Sequence, residues 1–268
     1  MEMLVPYPPA STRTRPVDAG GVKAQWIETP ASRTDRQLLY LHGGAYRVGS
    51  PATYRHFTWR LATAARARLL AIDYRLAPEH PFPAALEDTF SAYRWLLAGA
   101  AQGLAIVGDS AGGGLALALL LKLRDAGLPL PAAAVALSPW TDLALTGASL
   151  TLNADADPML KADDLPHFAA DYLAGADSRN PYASPFYGDP FGLPPTLFHV
   201  GADEILRDDA VRMAEKMRQA KCRVELQIWP RMPHVWHLLA PLLPEARCAI
   251  AGIGDFLERV LGKRAAGS

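Results

Sequence analysis

The segment Gly108-Asp109-Ser110-Ala111-Gly112 sets a serine between two glycines. In a G-x-S-x-G pattern the serine sits on a sharp strand-to-helix turn with its hydroxyl exposed at the tip. The helix N-terminus behind it favours negative charge developing nearby. A hydroxyl held this way can attack a carbonyl carbon, provided that an imidazole takes its proton. Both flanks agree with this reading of Ser110. The apolar run 104–107 precedes the motif as a strand, and Gly113-Gly114-Leu115-Ala116-Leu117-Ala118 follows as a small-residue helix. A serine serving only as a turn residue would need neither flank.

Attack on a carbonyl also requires donors for the oxygen that becomes charged. A second apolar run, residues 38–41, ends in His42-Gly43-Gly44-Ala45-Tyr46. Its glycines leave the backbone free to turn N–H groups inward. Gly43, Gly44 and, from the elbow, Ala111 are the expected oxyanion donors, each worth about 3 kcal/mol by analogy with donor deletions. The competing reading is a Gly-Gly hairpin turn, and the downstream elbow weighs against it.

Of the seven histidines, the order Ser, acid, His leaves His234 and His237 as candidate bases. His234 follows the strand-like run 224–229 and the turn Pro230-Arg231-Met232-Pro233. His237 falls about one helical turn later and is expected to pack or hydrogen bond. The acid must orient the imidazole and stabilise its charged form. Asp203 and Glu204 both follow the strand-like run 196–200, and the residues alone leave the choice between them open. Tyr46, Asp109, Trp140 and Trp236, with Phe186 and Tyr187, are candidates to line a substrate pocket. His234 and His237 lack an H-E-x-x-H partner, and no phosphate loop with lysine appears, so neither metal nor cofactor is expected.

The elements that would carry these residues alternate. Strands are expected at 22–29, 37–41, 68–73, 104–107, 132–137, 196–200 and 224–229. Helices are expected at 54–67, 83–97, 111–125, 208–219 and 244–261, with residues 1–16 and 262–268 as loop and frayed tail. Apolar strands alternating with helices imply a mainly parallel sheet covered on both faces. Residues 141–190 break the rhythm around one helix, 165–173, and are read as a lid inserted into a core made of 1–140 and 191–268.

Composition narrows the partners. Half of the 268 residues are apolar and a fifth charged, as in an ordinary folded domain. Lys plus Arg equals Asp plus Glu at 27 each, so no net basic field draws nucleic acid or an anionic membrane. Cys222 and Cys248 have no C-x-x-C spacing and are expected to be buried free thiols. The start, Met1-Glu2-Met3 with Pro6, Pro8 and Pro9, lacks the regions of a secretory signal. The most apolar stretch, 115–121, is too short to span a bilayer. A cytoplasmic enzyme is the expectation.

Taken together, these motifs resemble the hormone-sensitive-lipase-like bacterial esterases, from residue 38 to the end. His42-Gly43-Gly44-Ala45 is similar to that family's H-G-G-G, with Ala45 in the third glycine's place. The run Asp73-Tyr74-Arg75-Leu76-Ala77-Pro78-Glu79-His80-Pro81-Phe82-Pro83-Ala84 and the G-D-S-A-G-G elbow also match, and Asp157-Pro158-Met159 resembles a recurrent signature of the lid region. Glu204-Ile205-Leu206-Arg207-Asp208 aligns without a gap on D-P-L-R-D, which puts Glu204, rather than Asp203, in the acid column.

The resemblance implies an α/β-hydrolase fold with a small lid and a serine esterase on Ser110, Glu204 and His234, acting on a small-molecule ester. Amidase or lactonase chemistry on the same groups, and a non-catalytic ligand-binding homologue, are the other readings it permits. The stretch before H-G-G is shorter than is usual in the family, where it forms part of the lid. The expectation is therefore a shallow acyl pocket, short esters and little interfacial activation. Relatives often pair through the edge strand near the C-terminus, here 224–229, which admits a homodimer.

Overall fold

The computed structural model describes residues 7–99 and 103–262; the start of the loop expected at 1–16 and nearly all of the tail expected at 262–268 lie outside them. Eight strands form one sheet: β1 (Arg13–Asp18), β2 (Lys23–Glu28), β3 (Arg33–Leu41), β4 (Ala67–Ile72), β5 (Gly103–Asp109), β6 (Ala133–Leu137), β7 (Thr196–Gly201) and β8 (Val224–Trp229). Their order is β1-β2-β4-β3-β5-β6-β7-β8. The six strands from β4 to β8 run parallel, and β1 and β2 add an antiparallel ribbon at one edge.

Period-two alternation divides the apolar side chains between the two faces. In β3, Leu39 and Leu41 face α2 (Ala84–Ala98), α3 (Ala111–Asp125) and α6 (Arg207–Gln219). Leu38 and Tyr40 face α1 (Arg55–Ala65) and α7 (Pro244–Leu261). Burial on both faces explains why the central strands read as continuous apolar runs.

The structure departs from the sequence reading at β1, a strand where loop was expected to residue 16. All but one of its residues are exposed, so it carries no apolar alternation, and it is held by backbone pairing to β2. The cysteines also differ from expectation. Both are free, but Cys222 is only half-buried in the turn before β8, and Cys248 is exposed on α7. Between β6 and β7 the chain leaves the sheet and forms two short helices, α4 (Ser149–Leu152) and α5 (Leu165–Leu173). No helix among the described residues is long and apolar enough to cross a membrane.

Parallel strands deliver all their carboxyl ends to one edge of the sheet, which is where ligands bind in such folds. The chain turns out of β3 at His42, out of β5 at Ser110, out of β7 ahead of Glu204 and out of β8 ahead of His234. Side chains separated by up to 192 positions are thus brought to one rim.

Candidate active site

Ser110 sits between β5 and α3 with φ 53° and ψ −123°, a conformation that an L-residue adopts only when its surroundings enforce it. Here the Ser110 N–H donates to Leu137 O at 2.8 Å, and Ser110 O accepts from Gly113, Gly114 and Trp140. The turn closes because residues 108 and 112 have no side chain. A Cβ on Gly108 would collide with the Gly112 carbonyl, and one on Gly112 with the Leu41 carbonyl.

The Ser110 hydroxyl lies 2.9 Å from His234 Nε2, and His234 Nδ1–H donates to Glu204 Oε2 at 2.6 Å. The ring is almost wholly buried and the carboxylate completely so. Glu204 Oε1 accepts from Gly201 N–H at 2.5 Å and from the Ser138 hydroxyl at 2.8 Å. Ser138 in turn accepts from Val235 N–H at 3.1 Å, which links the acid to the histidine loop. Full hydrogen bonding is what makes a buried carboxylate tolerable. Asp203 is half-exposed, and its side chain makes no hydrogen bond among the described residues.

His237 is turned away from the serine. Its Nε2 lies 3.1 Å from His199 Nδ1, and the two rings stack at 5.3 Å beside Trp229 and Trp236. Burial pushes His199 down to about 4, and burial beside His199 pushes His237 well below the usual histidine range. Both are neutral packing residues.

The glycine loop after β3 corrects the donor set expected from sequence. The Gly43 N–H already donates to Asp109 Oδ1 at 3.1 Å, so it is committed inside the protein. Gly44 and Ala45, at φ 109° and 54°, instead line the cavity in front of Ser110. Their amides, and that of Ala111, donate to no protein acceptor among the described residues. Asp109 also accepts from Tyr40 at 2.5 Å. Its complete burial raises its carboxyl to about 6, against the pull of Tyr40, His234 and the Gly43 amide. His42, pushed down to about 4 by burial, stacks on Tyr74 at 4.2 Å and donates to Gly43 O at 2.7 Å.

The cavity has a volume of about 590 Å³. The glycine loop lines it with Gly44, Ala45, Arg47 and Val48, and the β6–β7 insertion with Met159, Leu160, Leu165 and Phe168. Arg47 pairs with Asp171 at 2.9 Å and lies over Phe168, which fastens α5 against the loop. Of the pocket residues expected from sequence, Trp140 and Asp109 line the cavity. The other four do not. Tyr46 is buried behind the loop, stacked on Tyr172 at 3.7 Å. Trp236 packs on the opposite face of the sheet. Phe186 lies under Arg212, and Tyr187 donates to Asp142. Aromatic residues near a site are often core, and sequence alone does not separate the two cases. No group of three or more His, Cys, Asp or Glu able to hold a metal is found among the described residues.

A parallel sheet with a serine elbow, a buried histidine and a carboxylate in line at its carboxyl edge defines the α/β-hydrolase class. The family model described as alpha/beta hydrolase fold matches residues 38–238, and the chain belongs to that family, among its hormone-sensitive-lipase-like esterases. It is 50% identical over 249 residues to an acetyl-hydrolase of Streptomyces hygroscopicus, covering 92% of this chain and 83% of that protein. A crystal structure of an esterase from the bacterial hormone-sensitive lipase family superposes with a TM-score of 0.94 at 48% identity, covering 96% of this chain and 87% of the other. The esterase EstE5, in a crystal soaked with p-nitrophenyl butyrate, gives 0.94 at 44% identity, covering 97% and 88%. Ester hydrolysis is therefore the activity of this chain.

Proposed function

We propose that the chain is a serine carboxylesterase for short-chain esters, with Ser110 as nucleophile, His234 as general base and Glu204 as the orienting acid. The observation that carries this reading is the unbroken line of hydrogen bonds from the Ser110 hydroxyl through His234 to Glu204, opening onto a cavity with three unused amides. As Ser110 Oγ attacks the ester carbonyl carbon, His234 Nε2 takes its proton. Glu204 holds Nδ1–H and stabilises the imidazolium that forms. The carbonyl oxygen becomes an oxyanion between the amides of Gly44, Ala45 and Ala111, each worth about 3 kcal/mol in such a site. Collapse expels the alcohol, which takes the proton from His234. Water then repeats the sequence on the acyl-enzyme and releases the acid.

The buried side chains of Trp140 and Leu206 in the cavity wall support short acyl groups. The soaking of a relative with a butyrate ester agrees with that class. A p-nitrophenyl ester series from acetate to laurate tests the reading, together with labelling by a fluorophosphonate. Acetate or butyrate is expected to be turned over fastest. Ser110→Ala is expected to lose labelling and about 10⁶-fold in kcat while keeping its fold, as for other serine-hydrolase nucleophiles. Faster turnover of laurate than of butyrate would refute the short-chain assignment, and labelling that survives Ser110→Ala would refute the nucleophile.

A further inference from the structure

The segment Asp157-Pro158-Met159 lies in the β6–β7 insertion and touches no reacting atom of the mechanism above. Its carboxylate is nevertheless more than nine-tenths buried and fully engaged. Asp157 Oδ1 accepts from Met159 N–H at 2.9 Å and Leu160 N–H at 3.2 Å, while Oδ2 accepts from Ile205 N–H at 2.9 Å. One carboxylate thus joins two residues of the cavity wall to the residue that follows Glu204. Four positions earlier, Asn153 Nδ2 donates to both Ala202 O and Glu204 O at 2.9 Å. The Ser149 hydroxyl donates to Ile205 O at 2.6 Å. The backbone around the acid is therefore held by side chains of the insertion.

We infer that Asp157 and Asn153 are positioning residues for Glu204, so that the insertion is the brace of the acid loop as well as a wall of the pocket. This inference rests on the triad reading given above. The physical need is evident from the geometry. Glu204 emerges from a loop, and no regular ladder fixes its backbone, yet Oε2 must meet His234 Nδ1 at 2.6 Å. A displacement of about 1 Å in such a contact costs roughly a hundredfold in rate. Buried side-chain acceptors and donors set on loop backbone supply the missing rigidity.

The test compares Asp157→Ala, Asp157→Asn and Asn153→Ala with the wild type on p-nitrophenyl acetate, per active site counted with a fluorophosphonate. The downfield proton resonance of His234 Nδ1–H is followed in parallel and assigned by its loss in His234→Asn. The expected result for Asp157→Ala is a roughly ten- to hundredfold fall in kcat with KM within about threefold, together with an upfield shift or broadening of that resonance. Asp157→Asn keeps one acceptor oxygen and is expected to recover part of both signals. Asn153→Ala gives the same reading should Asp157→Ala fail to fold. A kcat within twofold of wild type with an unmoved resonance would overturn the inference, and so would a loss confined to KM, which belongs to a pocket wall alone. The resonance does not depend on turnover. An inactive wild type would therefore count against the esterase reading, while the shift of the resonance would still decide the brace.

Discussion

A carboxylate suited to catalysis here is one with both oxygens held by hydrogen bonds. Glu204 gives one oxygen to His234 and the other to Ser138 and the Gly201 amide, whereas Asp203 is half-exposed and its side chain makes none of these contacts. Glu204→Gln is expected to lower kcat by about 10³–10⁴-fold, because an amide can present N–H to Nδ1 and enforce the wrong tautomer. Asp203→Asn is expected to stay within about twofold of wild type, as substitutions away from buried networks usually do. Steady-state kinetics on p-nitrophenyl butyrate for the two variants checks both, and a reversed order would exchange their roles. The sequence left these neighbours undecided on residue type, and only alignment on a family motif separated them. Ser138 had no signal at all. It matches no motif, and its importance arises because the turn after β6 places its hydroxyl between two distant loops. Gly43 was misread for a related reason. Sequence marks where a backbone is free to turn, but not that the Asp109 side chain has already taken one of its amides.

At the level of elements, the alternation of apolar runs located β2 to β8 and all five helices of the two covering layers to within a few residues, because burial on both faces leaves a plain pattern in the central strands. β1 was missed because an exposed edge ribbon needs no apolar face. The start of α6 shows a second kind of hidden feature. Asp209 is buried, with Oδ2 accepting from the Thr141 and Asp142 amides at 2.7 and 2.9 Å, so that the helix anchors the chain leaving β6. Burial lifts its carboxyl to about 7 from an ordinary 3.8. Between these values the folded chain holds a proton that the unfolded chain has released. The resulting stability is complete below about pH 4 and is lost as pH rises through about 7. Asp209→Asn keeps an acceptor oxygen and removes the titration. Its melting temperature relative to wild type is expected to rise between about pH 6 and about pH 8.5, by roughly 2–4 °C per kcal/mol in a chain of this size. Thermal melts at the two pH values measure this, and a constant difference would show that Asp209 does not titrate there.

The whole molecule is a sheet with two unlike edges. β1 closes one with charged and polar residues, while β8 ends the other with Ile228 46% exposed beside unpaired backbone groups. A bare edge strand invites pairing with another chain. We propose that two copies meet antiparallel through β8, a contact that a two-fold axis closes by covering both β8 edges at once. Ile228→Lys is expected to turn a dimer into a monomer by light scattering with the rate per chain unchanged, since the side chain lies outside the cavity. A wild type that is monomeric at micromolar concentration would dismiss the contact.

The pairing of Asp157 with Ile205 has an evolutionary corollary. In many enzymes the segment that recognises a ligand can drift while the reactive groups stay put, because the two are mechanically separate. Here a change at Asp157, Met159 or Leu160 that reshapes recognition also strains the bonds that hold the backbone around Glu204. Exchanging this stretch for that of a relative is therefore not a neutral swap of preference. Variants that broaden the range of esters should arise with a rate penalty, removable by second changes at positions 202–206.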